Sequence, residues 1–250
     1  MYGNLYFVGS SRVSVHIIKT EEGLVMIDSG YPDMYEQICD SMAQLALDTS
    51  DICAIIHTHG HIDHTGTTLL FKKLSGAKTY ISRIDNDIVN GKKDLSWAKE
   101  LNYPTPEAFD CDVLLKDGDV LTFGSTSIRF VSTPGHTDGT MSFFVELCEN
   151  GKKITAAMHG GAGLNTLSRR YLESIGSPLE TRVIFRNALH KVADERVDLM
   201  LGNHPQQNDT QGKGERAAQD RDITDPTEWR RYLKAVEDSL DNLLKSENQQ

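Results

Sequence analysis

The sequence predicts an α+β protein, a β-sandwich core with helices on both outer faces, built as one domain over residues 1–250. Three observations predict it. Short apolar runs of strand length recur through the chain, each closed by a Gly, Pro, Asn or Asp turn. Longer helical stretches stand between and after them, and no Pro/Gly/Ser-rich linker divides the chain. Strands that bury both faces need a second sheet on one side and helices on the other, which gives a layered sandwich. The chain also reads as two similar halves with a boundary near residue 125, although no quotable repeat links them.

Leu5 to Val8 is a short apolar strand, and Val13, Val15 and Ile17 alternate with polar or small residues as a half-buried strand does. Leu24 to Ile27 is the next strand and stops at Asp28-Ser29-Gly30. Pro32 opens a helix that runs to about Leu47. Ile52 to Ile56 is a continuous apolar run, the pattern of a strand covered on both faces. Thr67 to Leu74 reads as a helix, Lys78 to Ser82 as a strand, and Asp85 to Asn90 as a short helix closed by Gly91.

A β-meander follows: Val113–Leu115, Val120–Phe123, Ser127–Val131, Met141–Val145 and Ile154–Met158, with turns at Asp117-Gly118-Asp119 and Glu149-Asn150-Gly151 among others. Gly160 to Pro178 reads as a long glycine-rich segment that could cover a site as a mobile flap. Leu179 to Val192 is helical, Asp198 to Leu201 is the last strand, and Gln206 to Asp222 reads as a loop. A terminal helix over about 226–246 carries Trp229, Leu233, Val236, Leu240, Leu243 and Leu244 on one stripe.

Charge and cysteine content narrow the function classes. With 26 basic and 36 acidic residues the formal net charge is −10, which argues against a general binder of nucleic acid or anionic membrane. The four cysteines form no close pair, so neither a redox motif nor a cysteine zinc site is expected. No apolar run reaches the length of a membrane span, and no signal peptide is visible, so a cytoplasmic protein is expected.

The chemistry concentrates in His57-Thr58-His59-Gly60-His61-Ile62-Asp63-His64, directly after an apolar strand. Imidazole and carboxylate are ligands of a borderline cation such as zinc, and His59 and His61, two apart on a tight loop, can converge on one ion. Asp63 and His64 continue the turn and can face a second. His136, in the tight turn Thr133-Pro134-Gly135-His136-Thr137, and His204, in Gly202-Asn203-His204-Pro205, occupy the same strand-end setting. Asp28 is a candidate to orient a liganding imidazole, or simply caps its strand. His57 reads as a strand-end packing residue, and His16 and His190 receive no role.

Thr58 to His64 matches T-H-x-H-x-D-H, and the chain from Leu5 to at least Asp209 resembles the metallo-β-lactamase superfamily. The resemblance includes Leu24–Gly30, Gly76-Ala77-Lys78, Asp117-Gly118-Asp119, Thr-Pro-Gly-His-Thr and Gly-Asn-His-Pro. It implies an αββα sandwich with two zinc ions at one edge, the first held by His59, His61 and His136 and the second by Asp63, His64 and His204. Hydrolases such as glyoxalase-II-like thioesterases and lactonases place a bridging Asp after the strand that here ends Met158-His159, and no Cys stands there either. The pattern is most similar to the third, Asp-His-His subclass of metallo-β-lactamases, which however carries Asp-Ser where this chain has Met158-His159.

The implied activity is hydrolysis of an amide- or ester-like acyl bond, β-lactams included, by a metal-bound hydroxide that Asp63 orients as the catalytic residue. The alternatives are a lactonase or glyoxalase-II-like thioesterase, and a non-catalytic metal-binding module of the same fold. His159, Asn165, Arg169 and Trp97 are the candidate contacts for a small-molecule acyl substrate.

Overall fold

A computed structural model describes residues 1–149 and 151–249. Two sheets face each other. The first contains β1 (Leu5–Phe7), β2 (His16–Thr20), β3 (Gly23–Ile27), β4 (Ile52–Ile56), β5 (Lys78–Ser82) and β6 (Val113–Leu115), hydrogen-bonded in that order. The second contains β7 (Val120–Phe123), β8 (Thr126–Ser132), β9 (Met141–Glu149), β10 (Lys152–Met158) and β11 (Leu199–Leu201), in the order β11-β10-β9-β8-β7. The chain passes from the first sheet to the second between Leu115 and Val120. Strand β2 begins at His16, so Val13 and Val15 are buried in the loop before it.

Alternation of side chains along each strand sorts the apolar residues into three layers. Ile18, Val25, Ile27, Ala54 and Ile56 meet Ile128, Phe130, Phe143, Val145 and Leu199 between the sheets. The opposite faces of β2, β3 and β4 present Ile17, Met26 and Ile55 to α1 (Tyr35–Gln44) and to α3 (Thr68–Ser75), which supply Ile38, Met42 and Phe71. The outer face of the second sheet presents Val131, Phe144, Ala157 and Met200 to α6 (Thr181–Val192) and α8 (Glu228–Glu247) through Phe185, Leu189, Val192, Trp229, Leu233 and Leu240. Trp229 is fully buried, and its indole N–H donates to the Val192 carbonyl at 2.8 Å, so its polar atom is satisfied. The expected layering of helix, sheet, sheet, helix is therefore the observed one.

Two segments differ from the sequence reading. Residues 206–222 are not wholly a loop: α7 (Thr210–Ala217) lies within them. Its N-cap is Asp209, whose side chain accepts from the Gly212 amide. Its sequence gives no helical signal, because its two turns hold two glycines and few apolar residues. The segment 160–178 also holds regular structure, a 3-10 turn at Asn165–Leu167 and α5 (Arg169–Ser174), N-capped by Ser168. The turn expected at Glu149-Asn150-Gly151 includes Asn150, which lies outside the described residues.

Strands β3, β4, β5 and β6 run parallel, so β3, β4 and β5 end at one edge. Strand β10 runs parallel to β11 and ends there too. The two sheets are tied at this edge by the Met141 amide donating to the Thr58 carbonyl and the Ser14 amide to the Asn203 carbonyl, both at 2.9 Å. Asp28, the loop 57–64, Asp85, His159 and His204 all follow these strand ends.

Candidate metal centre

After β4 the chain turns through His57 to His61 and enters the single turn α2 (Ile62–Thr65), with Asp63 and His64 on it. Every residue from His57 to His64 is buried. The sequence-predicted ligands come together. One nitrogen from each of His59, His61 and His136 lies within 4.8 Å of the others, and the same holds for ligand atoms of His59, Asp63 and His64. His204 reaches the second group from β11: its Nε2 is 3.6 Å from Asp63 Oδ2, and its ring centroid is 5.3 Å from that of His64. His64 Nε2 is 3.4 Å from Asp63 Oδ2.

The outward nitrogens are occupied, and this decides which nitrogens face inward. His136 Nδ1 donates to the Gly163 carbonyl at 2.9 Å, and His204 Nδ1 donates to the Arg12 carbonyl at 2.8 Å. His64 Nδ1 donates to Asp28 Oδ2 at 2.8 Å. Thr58 Oγ1 donates to the Asp28 carboxylate at 2.9 Å and so accepts from His59 Nδ1 at 3.0 Å. Each of these four rings therefore turns Nε2 to the centre. His61 instead turns Nδ1, which is 3.1 Å from His59 Nε2. Asp28 thus orients one imidazole directly and another through Thr58. It sits at positive φ (56°), a conformation that Asp tolerates better than most residues.

The electrostatics follow from burial and crowding. Desolvation, reinforced by neighbouring imidazoles, holds His59 and His61 well below the usual histidine range. Burial lowers His136 to about 4. Burial alone would lower His64 too, but the Asp63 and Asp28 carboxylates raise it to about 10. Burial opposes ionisation of Asp63, yet the adjacent His64 holds its carboxyl far below the ordinary value. His64 Nε2 is buried and has no hydrogen-bond partner. Convergent imidazole nitrogens, a buried carboxylate and one orphaned ring nitrogen suit a divalent cation.

The candidate substrate contacts are placed unequally. Trp97 (φ 61°) stacks on His61 with ring centroids 5.6 Å apart and meets Tyr171 at the same separation, bridging the 90–112 loop and α5 across His61. His159 is buried against Phe185; its Nδ1 accepts from the Gly161 amide at 3.4 Å, and its Nε2 finds no partner. Asn165 is exposed. Arg169 is exposed, with its backbone amide donating to Glu247 and its guanidinium 4.0 Å from Glu173. His57 packs as expected, its ring held by the His64 carbonyl and the Thr68 hydroxyl.

Sequence reasoning missed three parts of the centre. Asp85, fully buried, accepts from the amides of Gly60 and Gly139 and the hydroxyl of Thr137. The Arg12 carbonyl, which holds His204, carries no side-chain signal. Tyr171 lies in the glycine-rich segment 160–178, and nothing in its local sequence signals that it meets Trp97. A groove beside His61 and His136 is walled by Ile84, Ile88, Leu95, Leu172 and Ile175.

Residues 8–149 match the metallo-beta-lactamase superfamily domain. The chain belongs to that superfamily. Its structure is similar to BJP-1, a subclass B3 metallo-beta-lactamase of Bradyrhizobium japonicum, with a TM-score of 0.87, 26% identity, and coverage of 99% of this chain and 93% of that one. It is also similar in fold to the FEZ-1 metallo-beta-lactamase from Legionella gormanii, with a TM-score of 0.89, 24% identity, and coverage of 99% and 95%.

Among curated relatives, an uncharacterized protein of Aquifex aeolicus is 29% identical over 145 residues, which is 56% of this chain and 63% of that protein. The hydroxyacylglutathione hydrolase GloC of Haemophilus influenzae is 24% identical over 169 residues, which is 66% of this chain and 75% of that protein. The chain matches under two thirds of the Aquifex relative's length. This superfamily member thus has a B3-like structure and a His/Asp cluster able to hold metal. Among the described residues no helix is long and apolar enough to cross a membrane.

Proposed function

We propose that this superfamily member is a dinuclear zinc hydrolase that cleaves an amide- or ester-like acyl bond, with β-lactams among its candidate substrates. The observation that carries the reading is the outward pairing of four imidazoles through Nδ1, which leaves their Nε2 atoms, with His61 Nδ1, facing one cluster that includes Asp63. His59, His61 and His136 would hold one ion, and Asp63, His64 and His204 the other. Zinc, when bound, supplies Lewis-acid polarisation of a carbonyl and a water that ionises near neutral pH. Asp63 is the one carboxylate in the cluster, so it accepts the hydrogen bond that orients the attacking water. Trp97 and Tyr171 exclude bulk water on the His61 side. The groove beside His136, which has Lys93 and Asp138 as well as aliphatic side chains in its walls, receives part of the substrate.

The likeness to GloC favours a second reading, a thioesterase or lactonase. The residue after β10 is His159 where those enzymes place a carboxylate, which weighs against it. The test is metal analysis of the purified protein, then parallel turnover of a chromogenic cephalosporin, a lactone and a thioester. About two zinc per chain with cephalosporin opening is the expected result. Thioester or lactone turnover alone selects the second reading. Metal without turnover of any of the three leaves a binding module, and no bound metal removes the proposal.

A further inference from the structure

Asp85 lies between the two backbone segments that carry the first imidazole group. It follows β5 and precedes α4 (Asn86–Val89), its own amide held by Ser82 Oγ at 3.1 Å. Its Oδ2 accepts from the Gly60 amide at 2.8 Å and from the Thr137 hydroxyl at 2.6 Å, while Oδ1 accepts from the Gly139 amide at 2.9 Å. Gly60 stands between His59 and His61, and Thr137 directly follows His136. One carboxylate therefore fastens the loop of two imidazoles, from the first sheet, to the turn of the third, from the second sheet.

The approach is too close for side chains. A Cβ on Gly139 would lie 2.4 Å from Asp85 Oδ1, and one on Gly60 would lie 2.9 Å from Ile88 Cβ. The donors include two backbone amides, one on each oxygen, so the arrangement calls for an acceptor at both positions. Asn offers only one acceptor oxygen, and its amide group would face an N–H donor. Asp85 bonds to no imidazole; its action is on the backbone between and beside them.

We propose that Asp85 is the positioning residue that sets the distance between the His59/His61 loop and His136, and so the affinity of this group for a divalent cation. The inference rests on the metal-centre reading above. The test is competition for zinc with a chromogenic chelator, together with the visible spectrum of the cobalt(II)-loaded protein, in the wild type, Asp85→Asn and Thr137→Val. Thermal unfolding of the three metal-free proteins reports folding separately.

We expect Asp85→Asn to lose about 10-fold or more in affinity for one ion, the scale on which hydrogen-bonded groups outside the ligand set act on a metal site, with the other ion retained and the cobalt spectrum altered. Thr137→Val, which removes one of the three donors and keeps the side-chain shape, loses affinity for the same ion to a smaller extent. Wild-type affinity and spectrum in a folded Asp85→Asn overturn the proposal and leave the metal centre standing. If Asp85→Asn does not fold, wild-type affinity in Thr137→Val overturns it instead. A wild type that binds no divalent ion removes both readings together.

Discussion

Asp28 Oδ2 lies 2.8 Å from His64 Nδ1, with both side chains sealed from solvent, and the same carboxylate accepts from Thr58, which in turn holds His59. A single strand-end residue thereby fixes ring orientation in both halves of the cluster. Replacing it with Ala leaves His64 Nδ1 without an acceptor in a buried site, a costly state. Asp28→Ala is expected to lower zinc affinity about 10–100-fold, read by chelator competition, and to reduce unfolding stability even in the metal-free protein.

Asp63→Ala removes the carboxylate that stands 3.4 Å from His64 Nε2 and 3.6 Å from His204 Nε2. Activity on whichever acyl substrate the wild type turns over should fall by orders of magnitude. Equal turnover in the variant would defeat the role given to Asp63.

Gly161 packs flat against His136: a Cβ there would sit 2.5 Å from the ring's Cδ2. The ring is fixed by Gly163 on one side, so it cannot yield without losing that bond. Gly161→Ala should displace His136 and weaken metal binding, while secondary structure by circular dichroism stays unchanged. Wild-type metal affinity in Gly161→Ala would contradict this.

Stability of the metal-free protein should depend on pH through its buried histidines. Burial lowers His16 and His159 to about 4, and neither His16 nitrogen has a hydrogen-bond partner. The folded value lies below the unfolded one, near 6.5, so the neutral ring is the folded form. The unfolded chain then binds more protons between about pH 4 and 6.5. The stability contributed by His16 and His159 in their neutral form is fully present above about pH 6.5 and is lost as pH falls toward 4. Urea unfolding with chelator at pH 7.5 and pH 5 should show this loss. His16→Leu should shrink the difference between the two, and an unchanged difference would refute His16 as a contributor.

Much of the centre was legible because liganding chemistry is local in sequence. His59, His61, Asp63 and His64 fall within six positions, and His136 and His204 end recognisable strands. The substrate contacts were less legible. Trp97 does reach the cluster, but Arg169 has its guanidinium near Glu173 one turn on in α5 and its backbone amide on Glu247, whose proximity depends on how α8 docks. Helix α7 escaped notice because its pattern has no apolar stripe, and its place is fixed by Asp209 and by the buried Lys213, which pairs with Glu228 at 2.6 Å.

The sequence by itself determined the layers of the fold and the six side chains of the candidate centre, since apolar periodicity and residue chemistry are written along the chain. Only the tertiary structure decided which nitrogen of each ring faces inward, and that Asp85 joins two ligand-bearing segments. Those features depend on backbone carbonyls and amides such as those of Arg12, Gly163, Gly60 and Gly139. Every residue carries these groups, so they leave no mark in a sequence until folding brings them within a hydrogen bond's length.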